Sequence, residues 1–381
     1  MPEDIISIII TILNGAKWID NCFESILKQT AVQKQQQQQQ QLQTQYSIRT
    51  AHVTSHNNQC ENVQLEVCAF DDCSTDNTVE ILKLWRQRFK NVNVPLVIIR
   101  NESEKSKGVG YGRNAAIANS TGTYLCFQDV DDIMLPNRIL KQYALAKRHQ
   151  DAIIGSKFMR IPTNSTCRFS KWANDLDPQK LTLQIYTSNG PTVIMPTWFC
   201  HRSVYNNISN GFCDDGHGIP EDLIFFYKHL DRGGSVLRVD QCLLKYRYHP
   251  EATTFSIAAK TILRIRLRHL IENILQKEPW SNGFTIWNAG KQGKTFFRDL
   301  PAVEKHKVIS FCDVDKKKIQ NMYKYFDQVT RKITHTIPVL HFTQAKPPLV
   351  ICMKLDMTNG AFEANLRSLN LTEGTDYILF T

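Results

Sequence analysis

Hydrophobic and polar positions along the chain repeat one rhythm twice, with a less regular stretch between. Residues 5–12 form an isoleucine run broken only by Ser7 and Thr11, which predicts a first strand buried on both faces. After Asn14-Gly15, the apolar residues Trp18, Cys22, Phe23, Ile26 and Leu27 recur at helical spacing. From Gln33 to about Asn62 the chain is polar and glutamine-rich. That composition predicts a surface-loop insertion without packed structure, bounded at about 31–62. It costs little, because loop-closure entropy grows slowly with length. A strand over 65–70 follows, then a helix starting near Asn77, with Glu80 placed to complete a capping box. A third strand covers 94–100. Gly108, Gly110 and Gly112 lead into a short helix over 113–119, and a fourth strand covers 123–127. Pro136 marks a helix start, where its missing N–H costs nothing.

Residues 155–256 show no clean period. Residues 257–278 read as a basic helix carrying Lys260, Arg264, Arg266, Arg268 and His269, either a solvated bridge between domains or a phosphate-binding face. A second alternation opens at Phe284, with strands over 284–287, 308–312, 337–342, 349–353 and 377–380 and a helix over 362–369. Strands alternating with helices predict βαβ units and a parallel sheet, hence an α/β fold. The expected division is a first α/β domain over 1–256, a basic linker helix over 257–282, and a smaller Rossmann-like domain over 283–381.

The 381 residues are 42% apolar, enough for two sizeable cores. A net charge of +10 favours an acidic partner, with nucleic acid the leading candidate. No run of about 20 apolar residues could span a bilayer. The first apolar run follows no basic segment and precedes no cleavage site. The expectation is a soluble, cytoplasmic protein without membrane insertion. The eleven cysteines are odd in number, and Cys68, Cys126, Cys312 and Cys352 lie inside apolar strands, where a free thiol packs as a small hydrophobe. No C-x-x-C pair suggests zinc or redox work.

The candidate chemistry is acidic. Asp129-Val130-Asp131-Asp132 ends the apolar strand over 123–127. Like charges this close resist joint ionisation unless a cation sits among them. Asp-x-Asp at a strand end suits a hard divalent ion that also holds a diphosphate. Asp71-Asp72 forms a second acidic strand end, and Glu221-Asp222 a third pair before an amphipathic helix. Ligands of parallel sheets bind at the carboxyl ends of strands. In the second domain, Asn288-Ala289-Gly290-Lys291-Gln292-Gly293 approaches a dinucleotide-binding loop with Asn288 in place of the first glycine, and Asp313 lies where a ribose-binding acid would sit. A cofactor-free structural domain is the favoured reading, and NAD is not expected.

Residues 7–14, Asp71-Asp72-Cys73-Ser74-Thr75-Asp76, Gly112-Arg113-Asn114 and Asp129-Val130-Asp131-Asp132 together resemble family 2 glycosyltransferases with the GT-A fold, over about residues 5–255. The resemblance implies a UDP-sugar donor and Mn²⁺ or Mg²⁺. Asp71 would contact the uracil or ribose and Asp129 the ribose, with Thr11, Asn14 and Asp72 in the same nucleotide-binding set. Asp131, with Asp129 and His249, would hold the metal. Arg113 would add positive charge near the nucleotide, and Arg247 would close on the diphosphate. Asp222, in Pro220-Glu221-Asp222-Leu223, matches the catalytic base, with Glu221 orienting the site, and one base with one displacement implies inversion. The family has a proline and an aromatic just before Asn14, whereas this chain has Thr11 and Leu13.

Pro196-Thr197-Trp198-Phe199, Tyr246-Arg247-Tyr248-His249 and Phe311-Cys312-Asp313-Val314-Asp315 narrow the resemblance to a subgroup described both as β-1,3-N-acetylglucosaminyltransferase-like and as queuosine-tRNA galactosyltransferases. It implies UDP-galactose as donor and queuosine in a tRNA anticodon as acceptor. A β-1,3-N-acetylglucosaminyltransferase using UDP-N-acetylglucosamine on a galactose-containing acceptor is the first alternative. A catalytically inactive nucleotide- or RNA-binding module is the second.

Overall fold

The computed structural model describes residues 4–37, 63–319 and 321–381. Most of the glutamine-rich insertion, residues 38–62, lies outside the described residues. Its expected start at about 31 needs correction. Residues 30–37 are helical, and Ala31 and Val32 pack into the core before the glutamine run begins.

Two compact units emerge: Met1–Pro178 with Val193–Ala258, and Gln179–Thr192 with Ala259–Thr381. The expected linker 257–282 is therefore, from Ala259 onward, part of the second unit, where Ile262, Leu267, Leu270 and Leu275 are buried. Residues 179–192 also belong to the second unit rather than to a continuous first domain.

The first unit is built on an eight-stranded mixed sheet. Its strands are β1 (Asp4–Ile12), β2 (Val63–Asp71), β3 (Leu96–Arg100), β4 (Tyr124–Phe127), β5 (Ile133–Met134), β6 (Ala152–Ile161), β7 (Phe199–His201) and β8 (Ser235–Arg247), in the order β3-β2-β1-β4-β7-β6-β8-β5. Strands β3, β2, β1 and β4 are parallel, and β7 pairs antiparallel with β4. Ile6, Ile8, Ile9, Ile10 and Ile12 are all buried, as expected for a central strand covered on both faces. The strand order reverses between β1 and β4. Such a switch opens a crevice at the carboxyl ends of the strands, and Asp71 and Asp129–Asp132 lie there. This is a mixed α/β architecture.

Local differences from the sequence pattern have identifiable causes. The helix after the glycines runs over Val109–Ala118, so Gly110 and Gly112 lie inside it rather than before it. A Cβ on Gly110 would sit 1.9 Å from the Cys213 carbonyl oxygen, and one on Gly112 2.8 Å from both Phe70 and Thr11. Glycine is required because the helix lies against backbone and sheet. Gly110→Ala is expected to destabilise the protein by about 1–3 kcal/mol through overpacking, read as a lower midpoint in urea. The helix Thr78–Lys90 does follow Asn77, but without the capping box. Asp76 takes the role instead, accepting from Thr78 N at 3.0 Å. The middle of the chain is more regular than its pattern suggested. β6 and β8 pair in parallel over ten residues, but register shifts at Ser156, Lys157 and Phe158 break the two-residue period.

The second unit is a six-stranded sheet. Its strands are β9 (Phe284–Trp287), β10 (Val308–Asp313), β11 (Met322–Asp327), β12 (Lys332–His341), β13 (Leu349–Ile351) and β14 (Tyr377–Leu379), ordered β11-β12-β10-β9-β13-β14. All pairings are parallel except β11 on β12. The five parallel strands follow a doubly wound order, so the unit is Rossmann-like. The loop that resembles a phosphate-binding fingerprint is tied up internally. Ala289 N donates to Asp313 Oδ2 at 2.9 Å and Gly290 N to Asn288 Oδ1 at 2.7 Å. Asp313 also accepts from Lys318 Nζ and Asp315 N. These bonds occupy the groups that would otherwise meet a pyrophosphate and a ribose.

Candidate active site

The site gathers where β1, β2, β4 and β8 end and where the helix Glu221–Asp231 begins. Its centre is Arg113, which the close-packed helix Val109–Ala118 drives inward until its side chain is only 7% exposed. One guanidinium nitrogen pairs with Glu221 Oε1 and another lies 3.3 Å from Asp129 Oδ1. Burial works against the guanidinium charge, but Glu221, Asp129 and Asp222 outweigh it and raise its pKa. The arginine thus joins the Asp129 cluster to the Glu221-Asp222 pair, which lie 92 positions apart in sequence.

One oxygen of each of Asp129, Asp131 and Asp132 falls within 4.8 Å of the others. Burial pushes Asp129 up to about 6, opposed by Arg113 and reinforced by Asp131 and Glu221. Asp132 is held well above the usual carboxylate range by burial and by its two acidic neighbours. Its Oδ1 accepts from Arg247 N at 2.8 Å, and its Oδ2 is buried without a hydrogen-bond partner. Asp131 Oδ2 lies 2.7 Å from His249 Nε2, and His249 Nδ1 is likewise buried and unpartnered. Trp18 supports this corner. Its ring centroid lies 5.2 Å from that of His249 and 4.5 Å from the Arg247 guanidinium carbon. Arg247 Nε donates to the Asp131 carbonyl at 2.8 Å, so β8 is tied to the acidic turn.

These residues fit a hard divalent cation. Crowded carboxylates, a buried carboxylate oxygen lacking a donor and an adjacent imidazole form a donor set suited to Mg²⁺ or Mn²⁺. Among the described residues this is the cluster of carboxylate, histidine or cysteine groups close enough to hold a metal ion.

Asp222, in the first turn of its helix, is pushed up to about 7 by burial and by Glu221, with Arg113 opposing. Its Oδ1 accepts from Leu223 N at 2.7 Å. Asp71, at the end of β2, is fully buried. Its Oδ1 accepts from Ser74 N at 3.3 Å, while Oδ2 has no hydrogen-bond donor and lies 3.5 Å from Arg100 Nε.

Other predicted site residues have structural partners. Asp72 accepts from Asn101 Nδ2 at 2.7 Å, Lys107 N, Gly108 N at 2.8 Å and Ser106 Oγ, so its carboxylate closes the 101–108 loop and is committed there rather than to a nucleotide. Asn14 has a φ of 51° and accepts from Thr75 N at 2.9 Å, bracketing the ends of β1 and β2. Thr11 turns its methyl toward Gly112. Sequence reasoning left Asp132 out of the metal set and counted Trp18 as core. The Asp131-Asp132 doublet was the available signal for the first. Nothing local signals the second, because Trp18 meets residues more than 200 positions away.

Residues 50–209 match the model of the family described as glycosyl transferase family 2. Glycosyltransferase GlyG of Streptococcus pneumoniae is 23% identical over 304 residues, covering 72% of this chain and 89% of that protein. The poly(ribitol-phosphate) beta-glucosyltransferase of Bacillus spizizenii is 26% identical over 156 residues, 41% of this chain and 19% of that protein, so the chain spans about a fifth of its length. Among solved structures, S. aureus TarS 1-349 in complex with UDP-GlcNAc is 16% identical, covering 70% of this chain and 66% of that one with a TM-score of 0.47. Residues 50–209 are thus similar to family 2 glycosyltransferases. No helix of the described residues is long and apolar enough to cross a membrane.

Proposed function

We propose that this chain is a metal-dependent, inverting glycosyltransferase that uses a UDP-sugar, with Asp222 as the base. The observation that carries the reading is the Asp222 carboxyl, raised to about 7 and joined through Glu221 and Arg113 to the metal-suited acid cluster. A general base works best with a pKa near the operating pH. Asp129, Asp131, Asp132 and His249 would hold Mn²⁺ or Mg²⁺. The bound ion would offset the diphosphate charge and stabilise the departing nucleoside diphosphate. Asp71 would take a hydrogen bond from the nucleoside on Oδ2, the oxygen that lacks a hydrogen-bond donor. The ionised Asp222 would remove the acceptor hydroxyl proton as that oxygen attacks the anomeric carbon. The bond to the diphosphate oxygen breaks with the electron pair leaving on the diphosphate, so the anomeric centre inverts. Arg113 and Glu221 would position both acids.

For substrates, we propose galactose transfer from UDP-galactose to queuosine in a tRNA anticodon, in the cytoplasm. The support is the resemblance of the Tyr246–His249 and C-terminal motifs, together with a charge of +10 that suits RNA phosphate. The test supplies labelled UDP-galactose or UDP-N-acetylglucosamine, Mn²⁺, and tRNA with or without queuosine, and reads sugar on digested nucleosides by mass spectrometry. Galactose on queuosine alone is expected. Transfer of N-acetylglucosamine to a galactoside would replace this acceptor reading, and neither transfer nor donor hydrolysis would leave a binding module.

Two further outcomes are expected. Chelation with EDTA stops transfer and Mn²⁺ restores it. Because only ionised Asp222 accepts the proton, kcat/KM falls about tenfold per pH unit below a bend near 7. A profile flat from pH 5.5 to 8 would remove Asp222 from this role.

A further inference from the structure

The charge of the protein is unevenly placed. The first unit carries 26 Lys and Arg against 25 Asp and Glu, a net of +1. The second carries 20 against 11, a net of +9. The protein's basicity therefore lies almost wholly outside the unit that holds the candidate active site.

The helix Ala259–Leu270 concentrates that charge and sorts it. Two of its basic residues face inward with structural partners. Arg266 Nη2 donates to the Thr381 carbonyl at 2.8 Å and its guanidinium lies 4.8 Å from the Phe380 ring, while His269 Nδ1 lies 2.6 Å from the Tyr186 hydroxyl. Lys260, Arg264 and Arg268 are all exposed and recur every four residues, so they form one row on the outward face. The helix contains no acidic residue. None of the three has an ion-pair partner among the described residues, including Glu272 one turn beyond Arg268. Like charges at i, i+4 repel and weaken a helix. A solvated helix would be expected to intersperse acids, as the helix Thr78–Lys90 does with Glu80 and Arg88 paired to Glu24. The row spans about 12 Å at 1.5 Å rise per residue, a length over which a nucleic-acid strand presents a charge about every 3.4 Å.

We propose that the Lys260–Arg264–Arg268 face contacts the phosphate backbone of the RNA acceptor and so holds the tRNA while the first unit acts on it. This rests on the reading of the acceptor as tRNA. The contact is independent of base sequence, since phosphate contacts position rather than specify.

The test uses the full chain and a K260Q/R264Q/R268Q variant, with K316Q/K317Q/K324Q as a control that removes equal charge elsewhere on the second unit. Binding of a labelled tRNA is followed by fluorescence anisotropy between 50 and 200 mM KCl. The row variant is expected to bind at least tenfold more weakly at 50 mM. Its plot of log affinity against log salt should be shallower by about 2–3, the change for three lost phosphate contacts. Melting temperature and UDP-sugar hydrolysis should match the wild type, and the control should lose less than the row variant. Unchanged affinity and salt slope would overturn the proposal, as would an equal loss in the control. So would a loss confined to binding of phosphatidylserine vesicles, which would assign the row to a lipid surface. Row-dependent tRNA binding without sugar transfer would keep this contact and remove the acceptor reading. Transfer to queuosine with a tRNA KM unchanged in the row variant would do the reverse.

Discussion

Asp222→Asn is expected to lose transfer activity by about 10²–10⁴-fold, the range that a positioned general base supplies, while UDP affinity stays within a few-fold of wild type. Asparagine keeps the side-chain oxygen that accepts from Leu223 N at 2.7 Å, so the first turn of the helix should persist. The substitution carries a second expectation of opposite sign. The folded-state pKa of Asp222, about 7, lies above the ordinary value of 3.8. Its protonated form is therefore the one the fold prefers. Its stabilising contribution is present at low pH and is lost as pH rises through about 7. A neutral amide removes that loss. Asp222→Asn should melt higher than wild type at pH 8, with the gap narrowing steadily as pH falls toward about 4. An inactive variant that melts lower at pH 8 would mean damage to the fold rather than loss of a base. Wild-type turnover in Asp222→Asn would move the base elsewhere.

Arg113→Ala is expected to have the largest combined effect on stability and activity. The substitution removes the buried cation paired with Glu221 and Asp129 and leaves both carboxylates without it. Breaking a buried pair by deleting one partner costs about 3–5 kcal/mol. Without the guanidinium, the opposing effect on Asp129 and Asp222 disappears, so both should protonate at still higher pH. The variant should show a large drop in urea midpoint, and any residual transfer should have its acid limb shifted upward. Arg113→Lys should recover little, because an ammonium cannot reproduce the planar fork that meets both carboxylates. Wild-type stability in Arg113→Ala, or a rescue by lysine, would show that the bridge is not the organising contact.

The α/β class and most parallel strands were legible in the sequence because strands buried on both faces read as continuous apolar runs. Residues 5–12 illustrate this. The acidic strand ends were legible for a related reason: charge placed directly after such a run has few explanations. Helix boundaries near glycine were less legible. Gly110 and Gly112 look like loop residues until Cys213, Phe70 and Thr11 are seen pressed against them. Asp71 and Asp72 are indistinguishable by type and neighbourhood. Only the fold gives Asp72 the amides of a returning loop and leaves Asp71 one oxygen without a donor. β11 and the long pairing of β6 with β8 escaped because exposed edges and register shifts erase the alternation that marks a strand.

The sequence by itself determined which segments bury apolar surface, the sign and amount of charge, and the residue types able to hold a divalent ion or move a proton. These follow from composition and short-range period, which every residue carries locally. The tertiary structure alone decided which of those groups meet. It brought Asp129 to Glu221 through Arg113, set Trp18 under Arg247 and His249, and turned Arg266 inward while leaving Lys260, Arg264 and Arg268 outward. Such outcomes depend on the packing of segments far apart in the chain. Burial sets the pKa of an acid and the fate of a cation, and it exists only once those segments have come together.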